Sequence, residues 1–431
     1  MMNLYDIAYG LGVAVAAPYW AVKPTARRKV LTAFSQRMGH VPSRDGVGPA
    51  VLIHAVSLGE INATAALVKL LRQSRPDLHV IISTTTQTGY DRGRQLYGAE
   101  GAVTLVRFPL DFTVAIRRLL DALHPSLVVL MELELWPNFL RQCDKRKIPV
   151  LLVNGRMTPI AFKRYKWGKP IIASMLRRLV NVCAQDKIYA QRFEQLGAPH
   201  DRIYVTGTMK FDTAEVADQV AGDEQLAIEV GLKPGQEPIL VCGSTGPGEE
   251  PIILDTYRRL LLRFPSLRLV IVPRKPERFD EVAARIRHAG FPLLRRSSGP
   301  ASSAAQPVIL GDTMGELRKF FSLATVVFVG RTLVDLGPRQ HGSDMIEPAA
   351  LAKPIIIGPW THNFAEAMQR LREANAVVEV SDGSAMATTI QSWLEAPDDA
   401  REIGRRAQVV VQQNQGATAR HARIILDNLK I

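Results

Sequence analysis

The chain is poor in several things that would each have pointed somewhere. Three cysteines, Cys143, Cys183 and Cys242, stand in 431 residues. They are odd in number, far apart and without a CxxC spacing, which excludes a disulfide framework and a cysteine zinc site and suits a reducing, cytoplasmic compartment. Aromatics are 6%, and no arginine-rich run is interleaved with them. Nucleic acid is therefore not the expected partner. A GxxxxGK[ST] loop is missing, as is a GxGxxG at a strand end, which argues against an ATPase and an ordinary dehydrogenase. The nine histidines are scattered and none forms HExxH. Neither a metal nor a cofactor is expected. Short-period repeats and long low-complexity tracts are also missing.

What is present reads as a globular α/β protein. Hydrophobic residues are 47% and charged residues 22%, and the length suits two domains. A net charge of +13 favours anionic partners, either anionic lipid or a phosphorylated substrate. The N-terminus differs from the rest: Ile7 to Val22 carries no charge, and Lys23, Arg27, Arg28 and Lys29 follow. A signal peptide has its positive charge before the apolar run. Charge behind it suits a segment lying in, or spanning, a membrane with an anionic cytoplasmic leaflet; the alternative is a buried first helix.

Beyond it, short β-rich runs alternate with amphipathic helical stretches. Val51–Val56, His79–Ser83, Val103–Phe108, Leu127–Met131 and Val150–Val153 read as strands, and the rhythm restarts with Ile239–Cys242, Leu267–Val272, Val308–Leu310, Val326–Val329 and Pro354–Ile357. This predicts two doubly wound parallel sheets, with a ligand expected in a cleft at the carboxyl ends of the strands. The expected boundaries are an N-terminal segment 1–24, one domain over 25–207 and a second over 208–431, whose last helix would pack back on the first. Ser297–Gln306, rich in small residues, reads as a surface loop.

Several strand ends carry chemistry. In His54-Ala55-Val56-Ser57-Leu58-Gly59-Glu60, the carboxylate sits at a helix start. It either complements the helix dipole or serves as a general base, and Gly59 would let another chain or a ligand approach closely. His54 reads as a hydrogen-bonded strand histidine rather than a metal ligand. Glu132-Leu133-Glu134-Leu135-Trp136-Pro137-Asn138 follows a buried strand, and alternation would put both acids on one side. Lys210, in Gly207-Thr208-Met209-Lys210-Phe211-Asp212, is either a solvated lysine or a cation for a leaving phosphate. In the second half, Gly243-Ser244-Thr245, Pro273-Arg274, Met314-Gly315-Glu316 and Glu347-Pro348-Ala349 together suggest a nucleotide pocket, with Gly243-Ser244-Thr245 following a strand and able to present backbone N–H groups to an anion.

In this order the motifs resemble the Kdo transferases of lipopolysaccharide synthesis, from the N-terminal segment to about residue 370. Arg37-Met38-Gly39 is similar to the family's Arg-Leu-Gly element. Glu132–Asn138 is similar to its Glu-Thr-Glu-Leu-Trp-Pro-Asn, with Leu133 for Thr. Gly243–Glu250 resembles Gly-Ser-Thr-His-x-Gly-Glu-Glu, with Gly246 for His. Pro273–Phe279 differs from Pro-Arg-His-Pro-Glu-Arg-Phe only at Lys275, and Gly311–Leu317 matches in full. The resemblance implies the GT-B arrangement of two Rossmann-like domains facing across a cleft. It implies an inverting, metal-free transfer of Kdo from CMP-Kdo to a lipid A precursor at the cytoplasmic face of the inner membrane. Glu60 would be the base, with Glu132 and Lys210 stabilising the transition state. Contacts to CMP would fall on Pro273, Arg274, Met314, Gly315, Glu316, Asp344, Met345, Ile346 and Glu347. The sequence departs from the family after Val329: Arg331 replaces a Gly, the loop is longer, and Asp344 replaces Asn in Gly-Gly-His-Asn-Pro-Leu-Glu-Pro. A carboxylate near a phosphate is unfavourable unless Arg331, Arg339 or His341 compensates.

Overall fold

The computed structural model of the protein describes residues 3–22, 33–44, 46, 48–98, 101–299, 306–337, 340 and 342–429, with backbone only over 16–22. Two compact units divide it. One is Met1–Thr213 with Gln415–Ile431, the other Ala214–Asn414. Lys23, Arg27, Arg28, Lys29, Arg339, His341 and residues 300–305 of the expected surface loop lie outside the described residues.

The first unit holds a seven-stranded sheet: β1 (Ala50–His54), β2 (His79–Thr84), β3 (Val103–Arg107), β4 (Leu127–Met131), β5 (Val150–Gly155), β6 (Asn181–Ala184) and β7 (Ile203–Val205). The order is β3-β2-β1-β4-β5-β6-β7, with every pairing parallel. Every residue of β1 and β4 is buried. Alternate residues feed separate cores: Leu52, Val128 and Leu130 join one, and Val51, Ile53 and Val129 the other. Helices cover both faces, which is why these strands read as continuous apolar runs. Helix Ala417–Asn428 completes the second core through Ala422 and Ile425.

The second unit repeats the plan with β8 (Ile239–Thr245), β9 (Arg268–Pro273), β10 (Leu293–Arg295), β11 (Val308–Leu310), β12 (Val326–Val329), β13 (Ile355–Ile357) and β14 (Val378–Glu379). The order is β10-β11-β9-β8-β12-β13-β14, again all parallel. The α/β fold of two Rossmann-like units expected from the sequence is thus the observed one. Four strands escape the sequence pattern: β6, β7, β10 and β14. They have two to four residues, lie at or next to a sheet edge and, unlike the equally short β11 and β13, include polar, charged or exposed positions that break an apolar run.

The N-terminal segment is helical over Leu4–Val22. Its first turn is held by buried polar groups, since Asp6 accepts from Thr113 N (2.8 Å), Thr113 Oγ1 (2.7 Å) and Asn138 Nδ2 (2.9 Å). Leu4, Ile7, Leu11 and Val15 recur at helical spacing and are exposed, Leu4 by 86% and Val15 by 81%. The helix is therefore tied down at its start while it presents an apolar stripe outward, which differs from a buried first helix. Among the described residues no helix is long and apolar enough to cross a membrane.

Candidate active site

In the first unit the strand order reverses between β1 and β4, the topological switch point where α/β sheets bind ligands. Glu60 follows β1 and Glu132 follows β4. Glu60 opens helix Leu58–Ser74 through a capping box. Ser57 Oγ accepts from Glu60 N at 3.2 Å, while the Glu60 carboxylate accepts from Ser57 N at 3.1 Å and Val56 N at 3.0 Å. This is the arrangement of a helix start, yet the carboxylate is only 8% exposed and stands beside Glu132. Burial, then the Glu132 charge, raises its pKa above the usual carboxylate range. The amides orient the Glu60 carboxylate, and its surroundings raise its affinity for a proton. Thr84 and Thr86 brace the turn, their hydroxyls donating to Val56 O at 3.2 and 2.6 Å. Gly59 lies in open space. A Cβ there would meet only Ser57 Oγ, at 3.9 Å, so no other segment of the described chain presses on it.

The two acids after β4 part company, contrary to the alternation expectation. Glu132 takes a φ of 56°. The chain leaves the extended conformation there, and period-two alternation ends. Glu132 is close enough to Glu60 for their charges to interact, whereas Glu134 lies 3.7 Å from His54 Nε2 and accepts from Trp136 Nε1 at 3.0 Å. His54 is buried, with Nδ1 3.0 Å from Ser83 Oγ and its ring stacked on Phe108, so it is a hydrogen-bonded strand histidine as read. Lys210 follows the edge strand β7, but Met209 N donates to Asn154 Oδ1 at 3.1 Å, drawing the chain back to the end of β5, beside β4. The helix bearing Glu60 packs against the next turn, Phe211–Thr213.

In the second unit the residues singled out follow four adjacent strands, β11-β9-β8-β12, and the switch point falls between β8 and β12. Gly243, Ser244 and Thr245 belong to β8 rather than following it, with Ser244 at a φ of 56°. Arg274, exposed, follows Pro273 and donates from its backbone to Thr245 O at 3.1 Å. Glu249 is fully buried and accepts from Gly246 N (2.8 Å), Arg331 N (2.7 Å), Thr332 N (2.9 Å) and Leu333 N (3.0 Å). The Gly246 amide is therefore committed to a side chain of the protein. Glu250 is also buried and holds Arg278 bidentately at 2.6 and 2.9 Å. These two acids are structural braces that sequence reasoning did not separate from ligand-facing groups, although the doubled Glu after a glycine turn was the available signal.

Met314 is 71% exposed after β11, Gly315 takes a φ of 86°, and Glu316 accepts from Arg296 at 3.1 Å and from Thr313. Burial opposes ionisation of Glu316, but those hydrogen bonds outweigh it and its pKa is lowered. Asp344 is exposed and accepts from Ile346 N at 2.9 Å. Met345 and Ile346 are buried, so any ligand would meet their backbone rather than their side chains. Burial, then the Asp344 charge, pushes Glu347 up to about 6. Among the described residues no group of three or more His, Cys, Asp or Glu could hold a metal ion.

Comparison with known proteins decides what these strand ends belong to. The sequence profile described as 3-deoxy-D-manno-octulosonic-acid transferase (kdotransferase) matches residues 32–213. A 3-deoxy-D-manno-octulosonic acid transferase of Haemophilus influenzae is 34% identical over 381 residues, 88% of this chain and 86% of the relative. The chain belongs to the Kdo transferase family. It is a glycosyltransferase. Among solved structures, a Rickettsia africae glycosyltransferase shares the fold with a TM-score of 0.59 at 13% identity, covering 89% of this chain and all of that one. A Neisseria meningitidis UDP-GlcNAc 2-epimerase does so at 0.57 and 15%, covering 88% and 99%. The shared fold alone does not separate transferase from epimerase; the sequence relationship does.

Proposed function

We propose that this Kdo transferase moves Kdo from CMP-Kdo to a lipid A precursor at the cytoplasmic face of the inner membrane, without a metal. The observation that carries the reading is the Glu60 carboxylate, buried beside Glu132 at the switch point of the first sheet and raised in pKa. In the transfer, Glu60 takes the proton of the acceptor hydroxyl as its oxygen bonds to the anomeric carbon of Kdo. The bond from that carbon to the CMP phosphate breaks, and CMP leaves with the electron pair. Glu132 and Lys210 stabilise the charge that develops. CMP has one phosphate, so a cationic side chain suffices where a diphosphate would favour a metal. Arg274 and Glu347, at the strand ends of the second unit, suit the phosphate and the ribose respectively. The apolar stripe of helix Leu4–Val22 and the +13 net charge support a position on an anionic leaflet, where such an acceptor lies.

The test is incubation with CMP-Kdo and a tetraacylated lipid A precursor, read by mass spectrometry. A product heavier by one or more Kdo residues supports the reading. Thermal stabilisation by UDP and not by CMP would turn it towards a different donor.

A further inference from the structure

Two departures from the family pattern meet in space. Gly246 stands where the motif has His, and Arg331 where it has Gly. A Cβ built on Gly246 would fall 2.9 Å from Arg331 Cγ and 2.7 Å from Leu336 Cδ1. The stem of Arg331 therefore fills the space that a larger side chain at 246 would need. Arg331 also holds a φ of 62°, a left-handed backbone that glycine adopts freely and a long side chain does not. Strain of this kind persists at ligand sites when the side chain itself is required.

The place and the charge point the same way. Arg331 follows β12 and Gly246 follows β8, the two strands that flank the switch point. The amides of Gly246, Arg331, Thr332 and Leu333 are all taken by Glu249, so an anion arriving there must be met by side chains. Two guanidinium groups are available. The Arg274 backbone is bonded to Thr245, and a Cβ on Gly330 would lie 2.5 Å from Thr245 Cα, so Arg274 and Arg331 border Thr245 from opposite sides. Neither forms an ion pair with a carboxylate among the described residues. Burial, then the Arg274 charge, lowers the Arg331 pKa, with the buried Glu249 carboxylate opposing them only in part. Two like charges held together are relieved by an anion between them.

We propose that Arg331 and Arg274, on the β12 and β9 sides of Thr245, form the cradle for the donor's single phosphate. This rests on CMP being the nucleotide of the donor. Calorimetric titration of the full chain with CMP tests it, using Arg331→Met, which keeps a stem over Gly246 without charge, and Arg331→Gly, which also relieves the backbone. Both variants should raise the Kd for CMP tenfold or more, and Arg331→Gly should melt at or above the parent temperature. If Arg331→Met binds CMP like the parent, the arginine is packing and the proposal falls, whatever Arg331→Gly does. A parent protein that does not bind CMP would overturn the donor reading and this inference with it.

Discussion

At the scale of single residues, two acids with raised pKa values do different work and should fail differently. Glu60 must be ionised to accept a proton, so kcat/KM should rise with pH along a limb lying above the ordinary carboxylate range of about 4.5. The Glu132 charge is one cause of that position, so Glu132→Gln should move the limb to lower pH while lowering the rate. A limb unmoved in Glu132→Gln would break the link between the two acids. Glu60→Gln should reduce kcat by roughly 10²-fold or more with CMP binding intact, because it keeps the shape and removes the base. Glu347 carries the opposite lesson. Its pKa near 6 exceeds its unfolded value of 4.5, so the native state holds the proton more tightly. Stability is then highest below 4.5 and is lost as pH rises through about 6, by roughly 2 kcal/mol. Glu347→Gln should flatten that loss, melt a few degrees higher than the parent at pH 8, and bind CMP less tightly. A variant less stable than the parent at pH 8 would mean that the carboxylate is not under this strain.

At the scale of elements, what matters is how segments are tied to one another. Gly39 lies in a turn after the short helix Phe34–Arg37 with a φ of 85°, and a Cβ there would lie 2.0 Å from Ala115 O in helix Thr113–Leu123. Backbone cannot move aside as a flexible side chain can, so Gly39→Ala should destabilise the first unit by about 2–4 kcal/mol, read by denaturant titration. The glycine of the Arg37-Met38-Gly39 element was legible in the sequence, but the carbonyl that requires it was not. The N-terminal helix offers a second case. Removing it whole would strip Asn3 and Asp6 from Thr113 and Asn138, so the cleaner change is on the stripe. Leu11→Gln with Val15→Gln should leave the melting temperature unchanged, since both side chains are exposed, and should weaken binding to anionic vesicles. Unaltered vesicle binding would remove the helix from the membrane proposal.

For the whole molecule, one plan is used twice. Each unit places its candidate groups at the carboxyl ends of a seven-stranded parallel sheet, around one switch point. The chemistry proposed for that plan relies on side-chain charge, so transfer should be unchanged in EDTA. A loss restored by Mg²⁺ would require ligands that this chain does not bring together among its described residues. The net charge of +13 should make vesicle binding weaken steadily with salt, since surface attraction is screened within about 10 Å at 0.1 M.

The sequence by itself determined the class of fold, the central strands and the family. Continuous apolar runs mark doubly covered parallel strands, and motifs such as Gly311–Leu317 survive as unbroken strings. It could not show the short strands β6, β7, β10 and β14 at or next to sheet edges, nor that Glu132 and Glu134 diverge, because one left-handed residue ends the alternation. Nor could it tell Glu249 and Glu250 from ligand-facing acids, or show that Gly246 and Arg331 meet in space. Only the tertiary structure decided those points. They depend on contacts between strand ends far apart in the chain, and no local pattern records such a distance.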